Sequence, residues 1–356
     1  MRYDVAMIRV LETAAELEAF RGDWEALERR AAQSPFQTFC WAEQAWGQVL
    51  ARIPGNRLFV VVAVEAGAGA QVILPCYLAR GVLRFLLDVH ADHGDALAAP
   101  DALQSRHWKA LCAFLRSDRR VRGFDLRRLP GASPLFQALT LAFPEAALSK
   151  MGGYAVLRAA QAEDVIGTFR HLTSLQRKAL RRALRRTEGL TLRRFSAAGG
   201  KAFPREALVS LRERMIAQGV RQRDFLPEAL LAVAEGMFRA GLCEVAGLYA
   251  GETAQVLNVL LRTGGKTLFW LVAAESPQMP SLFNVRYVAE AAKAAPLAVD
   301  FGTGVYPYKC LAFCPEVHSS FALYWRRGVW GLACMAARGL LRWARDAARA
   351  PRGWWA

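Results

Sequence analysis

The chain has 356 residues, 54% hydrophobic and 22% charged, a balance that excludes disorder and allows two domains of ordinary size. No stretch reaches the ~18–20 apolar residues needed to span a bilayer, and the charged opening MRYDVAMIRV lacks the apolar core of an export signal. The formal net charge is +16, yet residues 170–194 hold nine Arg/Lys against one Glu, and residues 326–356 hold seven Arg against one Asp. The rest of the body is therefore near neutral, and the two cationic segments call for an anionic partner.

The periodicity predicts a first helix over residues 17–31, with Leu17, Phe20, Trp24, Leu27 and Ala31 on one face. SPFQT interrupts it at 34–38 before a Trp-rich helix to about Leu50. LFVVVAVEA (58–66) and QVILPCYLA (71–79) flank a Gly-Ala-Gly turn and read as a hairpin. A strand over 83–88, the polar loop HADHGD (90–95), a helix over 102–115, a strand over 124–127 and a helix after Pro134 complete the first half.

In the second half the pattern predicts helices over 175–187, 205–218, 227–239 and 282–294. Strands are predicted over 191–195, 242–249, 253–262, 266–273, 297–301 and 317–325. Both halves run helices, an antiparallel meander, a helix and a closing strand. This is α+β in class, with two similar lobes, each a mixed and mostly antiparallel sheet flanked by helices. The domain reading is 1–155, 156–325, and a basic amphipathic tail over 326–356.

Residues 174–186, SLQRKALRRALRR, need no relative to be interpreted. At about 100° per residue, Arg177, Lys178, Arg181, Arg182, Arg185 and Arg186 share one half of the cylinder, and Ala179, Leu180, Ala183 and Leu184 the other. Ser174 is the expected N-cap and Gly189 the stop. Six like charges on one face repel each other, which favours an anion site over a plain solvated surface. RNA matches the charge, but no interleaved aromatics offer base stacking, so nucleic acid is the weaker partner.

DFGTGVYPYK (300–309) follows the apolar AAPLAV, at the C-terminal end of a strand. Gly302 and Gly304 allow a tight loop with exposed amides. Asp300, Tyr306, Tyr308 and Lys309 can then converge on a cleft. There Asp300 takes or relays an acceptor proton, and a phenol or ammonium serves the leaving group. The plainer alternative is a turn with Asp300 as a local cap.

SPFQTFCW (34–41), SLQRKALRRALRR and DFGTGVYPYK, in this order, resemble the CelD/BcsL-like GNAT N-acetyltransferases, relatives of the Fem-type aminoacyltransferases. LPCYLARGVLRFLLDVHADHGDAL extends the resemblance to about residues 15–315. It implies two tandem GNAT-like lobes, the first shaping an acceptor groove and the second binding a donor. Acyl transfer would then proceed by direct attack on a thioester, with Asp300, Tyr308 and Lys309 as the catalytic set. Arg177, Lys178, Arg181, Arg182, Arg185, Ser281, Gly302 and Gly304 would hold the donor. Such folds usually seat pyrophosphate on a Gly-rich loop at a helix start. SPQMPSLFN (276–284) has no glycine and two prolines there, leaving Ser281 as the cap.

The expected co-substrate is acetyl-CoA or another acyl thioester, including one on an acyl carrier protein. The expected acceptor is a small molecule, glycan or peptidoglycan precursor, with polysaccharide or envelope biosynthesis as setting. No metal is expected. His90, Asp92, His93 and Asp95 form one short loop without a distant ligand, and Cys310 and Cys314 lack a second pair. Seven scattered cysteines read as reduced thiols of a cytoplasmic protein. In the tail, Arg327, Arg338, Arg342, Arg345 and Arg349 oppose Val329, Leu332, Ala336, Leu340, Trp343 and Ala347, a pattern fitting either a helix docked on the second lobe or peripheral contact at the inner face of a membrane. The alternatives are an aminoacyl-tRNA-dependent Fem-type transferase and a non-catalytic anion- or membrane-binding scaffold.

Overall fold

The computed structural model describes residues 7–31, 34–100, 102, 106–222, 225–304 and 313–328. In chain order the first half runs β1 (Met7–Leu11), α1 (Ala14–Ala19), α2 (Arg21–Arg30), α3 (Phe39–Gln44), β2 (Asn56–Leu58), β3 (Val60–Glu65), β4 (Gly69–Leu74), β5 (Cys76–Ala79), β6 (Val82–Phe85) and β7 (Leu97–Ala98). It continues with α4 (Arg106–Ser117), β8 (Gly123–Pro130), α5 (Pro134–Ala142) and β9 (Ala147–Ala159). The predicted strand 71–79 is cut at Pro75, which has no N–H for a ladder, so β4 and β5 go to different sheets. Strand β9 was not expected, because its first six residues are all exposed and alternation begins only at Gly153.

The second half runs α6 (Val165–Thr168), α7 (Ser174–Arg185), β10 (Thr191–Phe195), α8 (Arg205–Ala217), α9 (Glu228–Arg239), β11 (Cys243–Ala250), β12 (Thr253–Thr263), β13 (Lys266–Ala274), α10 (Met279–Ala294), β14 (Leu297–Thr303) and β15 (Glu316–Arg326). The cap of α7 is Thr173 and not Ser174: its hydroxyl accepts from Gln176 N while Gln176 Oε1 accepts from Thr173 N, a reciprocal box that Ser174 has no partner to make.

The chain divides into two compact units, one from residues within 1–152 and 319–356, the other from 153–318. In the first, β1-β3-β4-β7 form one antiparallel sheet, and β15-β8-β6-β5-β2 run side by side in another. Residues 320–326 pair with β8, so the end of β15 belongs with this unit, where the sequence reading carried the second lobe to 325.

In the second unit the strand order is β10-β11-β12-β13-β14-β9, antiparallel except for the β13/β14 pair. Helices α6, α7 and α10 cover one face, over a core that includes Leu180, Val256, Leu260, Phe269, Phe283, Tyr287 and Phe301. Phe269 meets Tyr287 and Phe301 edge-to-face at centroid distances of 5.3 and 5.4 Å, an arrangement that adds orientation to plain burial. Among the described residues, no helix is long and apolar enough to cross a membrane.

Candidate functional site

Strands β13 and β14 run parallel for three residue pairs, Lys266↔Ala298, Thr267↔Val299 and Leu268↔Asp300, and then part. The divergence starts where the β12/β13 register slips: Val259 faces Leu271 and Leu260 faces Phe269, leaving Trp270 as the extra residue of a bulge. A bulge bends its strand and raises local twist, which steers β13 away from β14. The fork holds a cavity of about 40 Å³, walled by Phe269, Trp270 and Phe301 and closed by Pro280 and Asn284 of α10.

Asn258, in mid-β12, also lines this cavity. It is 4% exposed, and its Oδ1 has no hydrogen-bond partner. A buried acceptor left unmade costs about 1–3 kcal/mol. The sequence reading passed over Asn258 and Asn284. The signal was a single amide inside the apolar strand VLNVLL, since buried polar groups are retained where something bonds them.

The basic helix reaches the same end of the fork. On α7 only Leu180 is buried, with Ala183 and Leu184 packed against the core beside it. Ala179, expected on the packed side, is exposed, as are Lys178, Arg181, Arg182, Arg185 and Arg186. Arg177 donates to Phe169 O at 3.2 Å, and Arg181 pairs with Asp164 at 2.7 Å, which holds the Asp164 carboxyl below the usual range. At the far end of the helix, Arg186 Nη2 donates to Gln278 Oε1 at 2.6 Å.

Gln278 is the N-cap of α10, three residues before the expected cap Ser281, because Pro280 with its fixed φ suits a first turn. Ser281 consequently lies inside the helix and does not cap it. The first turn is poor in donors: Met279 N donates to Ser276 O, and Pro280 has no N–H.

Asp300 is 8% exposed on β14. Its neighbours Val299 and Phe301 face the core under α7 and α10, so strand alternation turns Asp300 to the opposite face. Asp300 Oδ1 accepts from Gly302 N at 2.8 Å, a cap-like contact. Gly302 and Gly304 have φ of 70° and 89°, as a tight loop requires. Their amides are not exposed as the sequence reading expected, since Gly304 N donates to Gly153 O at 2.9 Å and Gly302 N to Asp300. Tyr306, Tyr308, Lys309 and Cys310 lie outside the described residues, as does the tail beyond residue 328.

The first unit contains a second fork, between β6 and β8, which pair in parallel only at Val82↔Gly123 and Leu83↔Phe124. The loop 90–95 enters it. Gly94 N donates to Arg128 O at 3.1 Å, and a Cβ on Gly94 would run into the Arg127 carbonyl and the Phe85 ring. Ser133 Oγ donates to Asp95 Oδ1 at 2.6 Å, and Ala96 N does so at 2.8 Å. Burial nevertheless pushes the Asp95 carboxyl up to about 6, against those two hydrogen bonds.

Residues 174–310 match the family described as Acetyltransferase (GNAT) domain. No curated protein matches the sequence. Among solved structures, the chain is similar to the C-terminal domain (DUF2156) of a protein described as a lysylphosphatidylglycerol synthetase from Agrobacterium fabrum. That likeness has 12% identity and a TM-score of 0.57, over 91% of this chain and 97% of that one. It is also similar to L-PGS from Bacillus licheniformis, at 14% identity and TM-score 0.54 over 89% and 93% of the two chains. FemX matches at 12% identity and TM-score 0.53, over 89% and 96%. The fold is thus α+β with two tandem GNAT-like lobes, and the open fork lies inside the matched segment. The finer CelD/BcsL likeness finds no match among these.

Proposed function

We propose, from the match of residues 174–310 to a GNAT acetyltransferase domain, that the second unit transfers an acyl group from a thioester to an amine or hydroxyl acceptor. The observation that carries this reading is the fork itself. Two parallel strands part around a small cavity, and a helix bearing exposed cations ends at the same place. The thioester arm lies along the fork, and its phosphates meet Lys178, Arg182 and Arg185, which do the work of the missing glycine-loop amides. CoA and carrier-protein phosphopantetheine share this chemistry.

The acceptor attacks the thioester carbonyl directly, giving the acyl product and a free thiol. Asp300 takes or relays the acceptor proton, and Tyr308 and Lys309 serve the thiolate. The acceptor belongs to envelope or polysaccharide chemistry, and the basic tail brings the enzyme to a membrane surface. A second reading, aminoacyl transfer, draws on the likeness to structures named for lysylphosphatidylglycerol synthesis.

Native mass spectrometry of the protein as purified, followed by titration with acetyl-CoA, tests the reading. A co-bound thioester or a saturable acetyl-CoA isotherm is the expected result. Absence of binding to acetyl-CoA, longer acyl-CoAs and acyl carrier protein would overturn it, and binding of aminoacyl-tRNA in their place would establish the second reading.

A further inference from the structure

Asn258 occupies the position in β12 where every neighbour is apolar: Val256, Leu257, Val259 and Leu260 are all fully buried. Its side chain faces the α10 side of the sheet, and its Oδ1 meets no donor among the described residues. The cavity it lines is otherwise formed by aromatic rings, Pro280 and aliphatic side chains, with Asn284 as the other polar member. An amide oxygen held in this way is an unfilled acceptor aimed into a space large enough for a small group.

Resting on the reading of this fork as a thioester site, we propose that the cavity recognises a neutral N–H or O–H group of the acyl thioester, which donates to Asn258 Oδ1. The charge state follows from the lining. Among the described residues no carboxylate borders the cavity, and α10 presents to it the end where a helix dipole is positive. A buried ammonium without an anion costs more than contact with the aromatic walls returns. The size follows from the volume, since about 40 Å³ admits a group of one or two heavy atoms and no aliphatic chain. The donor is therefore either a hydroxyl on a short acyl group or an amide N–H of the carrier arm, and the two sources separate experimentally.

Full-length wild type and Asn258→Leu are titrated calorimetrically with CoA, acetyl-CoA and hydroxyacetyl-CoA, and both proteins are melted without ligand. Removing an unfilled buried acceptor should leave the melting temperature unchanged or raise it by a few degrees. If the acyl hydroxyl is the donor, wild type prefers hydroxyacetyl-CoA over acetyl-CoA by about tenfold and Asn258→Leu erases the preference. If the arm amide is the donor, the substitution weakens all three by about tenfold alike.

Equal affinities in both proteins would overturn the pocket while leaving the thioester site standing. Wild type that binds none of the three, nor acyl carrier protein, would overturn the underlying reading as well. Should Asn258→Leu fail to fold, Asn258→Val, smaller and shaped like its neighbours, is tested in the same way. Failure of both to fold would show that the amide is structural and overturn the proposal.

Discussion

The guanidinium of Arg186, last cation of the basic helix, donates to the side chain of Gln278, the N-cap of the helix that closes the fork, at 2.6 Å. This contact sets the cationic face of α7 beside a helix start where Met279 N is spent on Ser276 O and Pro280 has no N–H. In the proposed function anion binding therefore rests on side chains, which makes it removable by mutation.

Charge reversal at Arg182 and Arg185 is the sharpest test of that transfer. Both are exposed, whereas Arg181 is occupied by Asp164 and would confuse the result. A hydrogen bond to a phosphate is worth about 1.5–3 kcal/mol, so each loss should raise the dissociation constant for acyl-CoA by ~10- to 100-fold. The melting temperature should hold or rise slightly, because neighbouring like charges are relieved. Unchanged affinity in isothermal titration would assign the face to another partner.

Asp300 has two possible duties, and two substitutions separate them. Asp300→Asn keeps an oxygen for Gly302 N but cannot accept a proton, whereas Asp300→Ala loses both. A proton-handling role predicts that Asn lowers turnover by ~10²- to 10⁴-fold with donor affinity and melting temperature intact. A purely structural cap predicts an active Asn variant and a destabilised Ala variant. Steady-state rates beside thermal melts decide between them.

Asp95 makes stability pH-dependent in the opposite sense from an ion-paired carboxylate. Its folded-state value of about 6 lies above the ordinary carboxylate value of ~4. The folded state therefore holds the proton more tightly, and the stability this gives is present below pH ~4 and lost as pH rises through about 6. Asp95→Asn, which keeps the acceptor for Ser133 and Ala96, should stabilise the protein by about 1–3 kcal/mol at pH 7.5 and by little at pH 4. Parallel denaturant titrations at the two pH values measure the difference.

The strong periodic elements were legible from the order of apolar residues along the chain. The meander β11 to β13 and helices α7 to α9 fall within a residue or two of their expected bounds, because their periodicity and flanking turn residues are local signals. What escaped was set by partners distant in sequence. Strand β9 lacks local alternation over its first half, and only its second half, from Tyr154 on, pairs with β14. Thr173 outcompetes Ser174 as a cap because Gln176 stands three residues from it. The basic face was plain in the sequence, but the fork was not, since nothing in two separate strands says where they stop pairing. Asn258 gains its meaning only from that fork.

The basic tail is tested by deletion of residues 338–356. Binding to anionic vesicles should be lost, as it should in high salt, where exposed charges are screened. Flotation with vesicles of mixed anionic and neutral lipid reads the effect. Full-length protein that ignores such vesicles at low salt would remove the membrane from the proposal.

Gly94 sits where only a residue without a side chain fits, and it puts the chain's own backbone into the first unit's fork. One of the two openings is thus sealed from within, and the two lobes are unequal despite their likeness. The molecule should count to one: titration with an acyl thioester should saturate at a single equivalent per chain, and a second equivalent would mean that the loop 90–95 can be expelled.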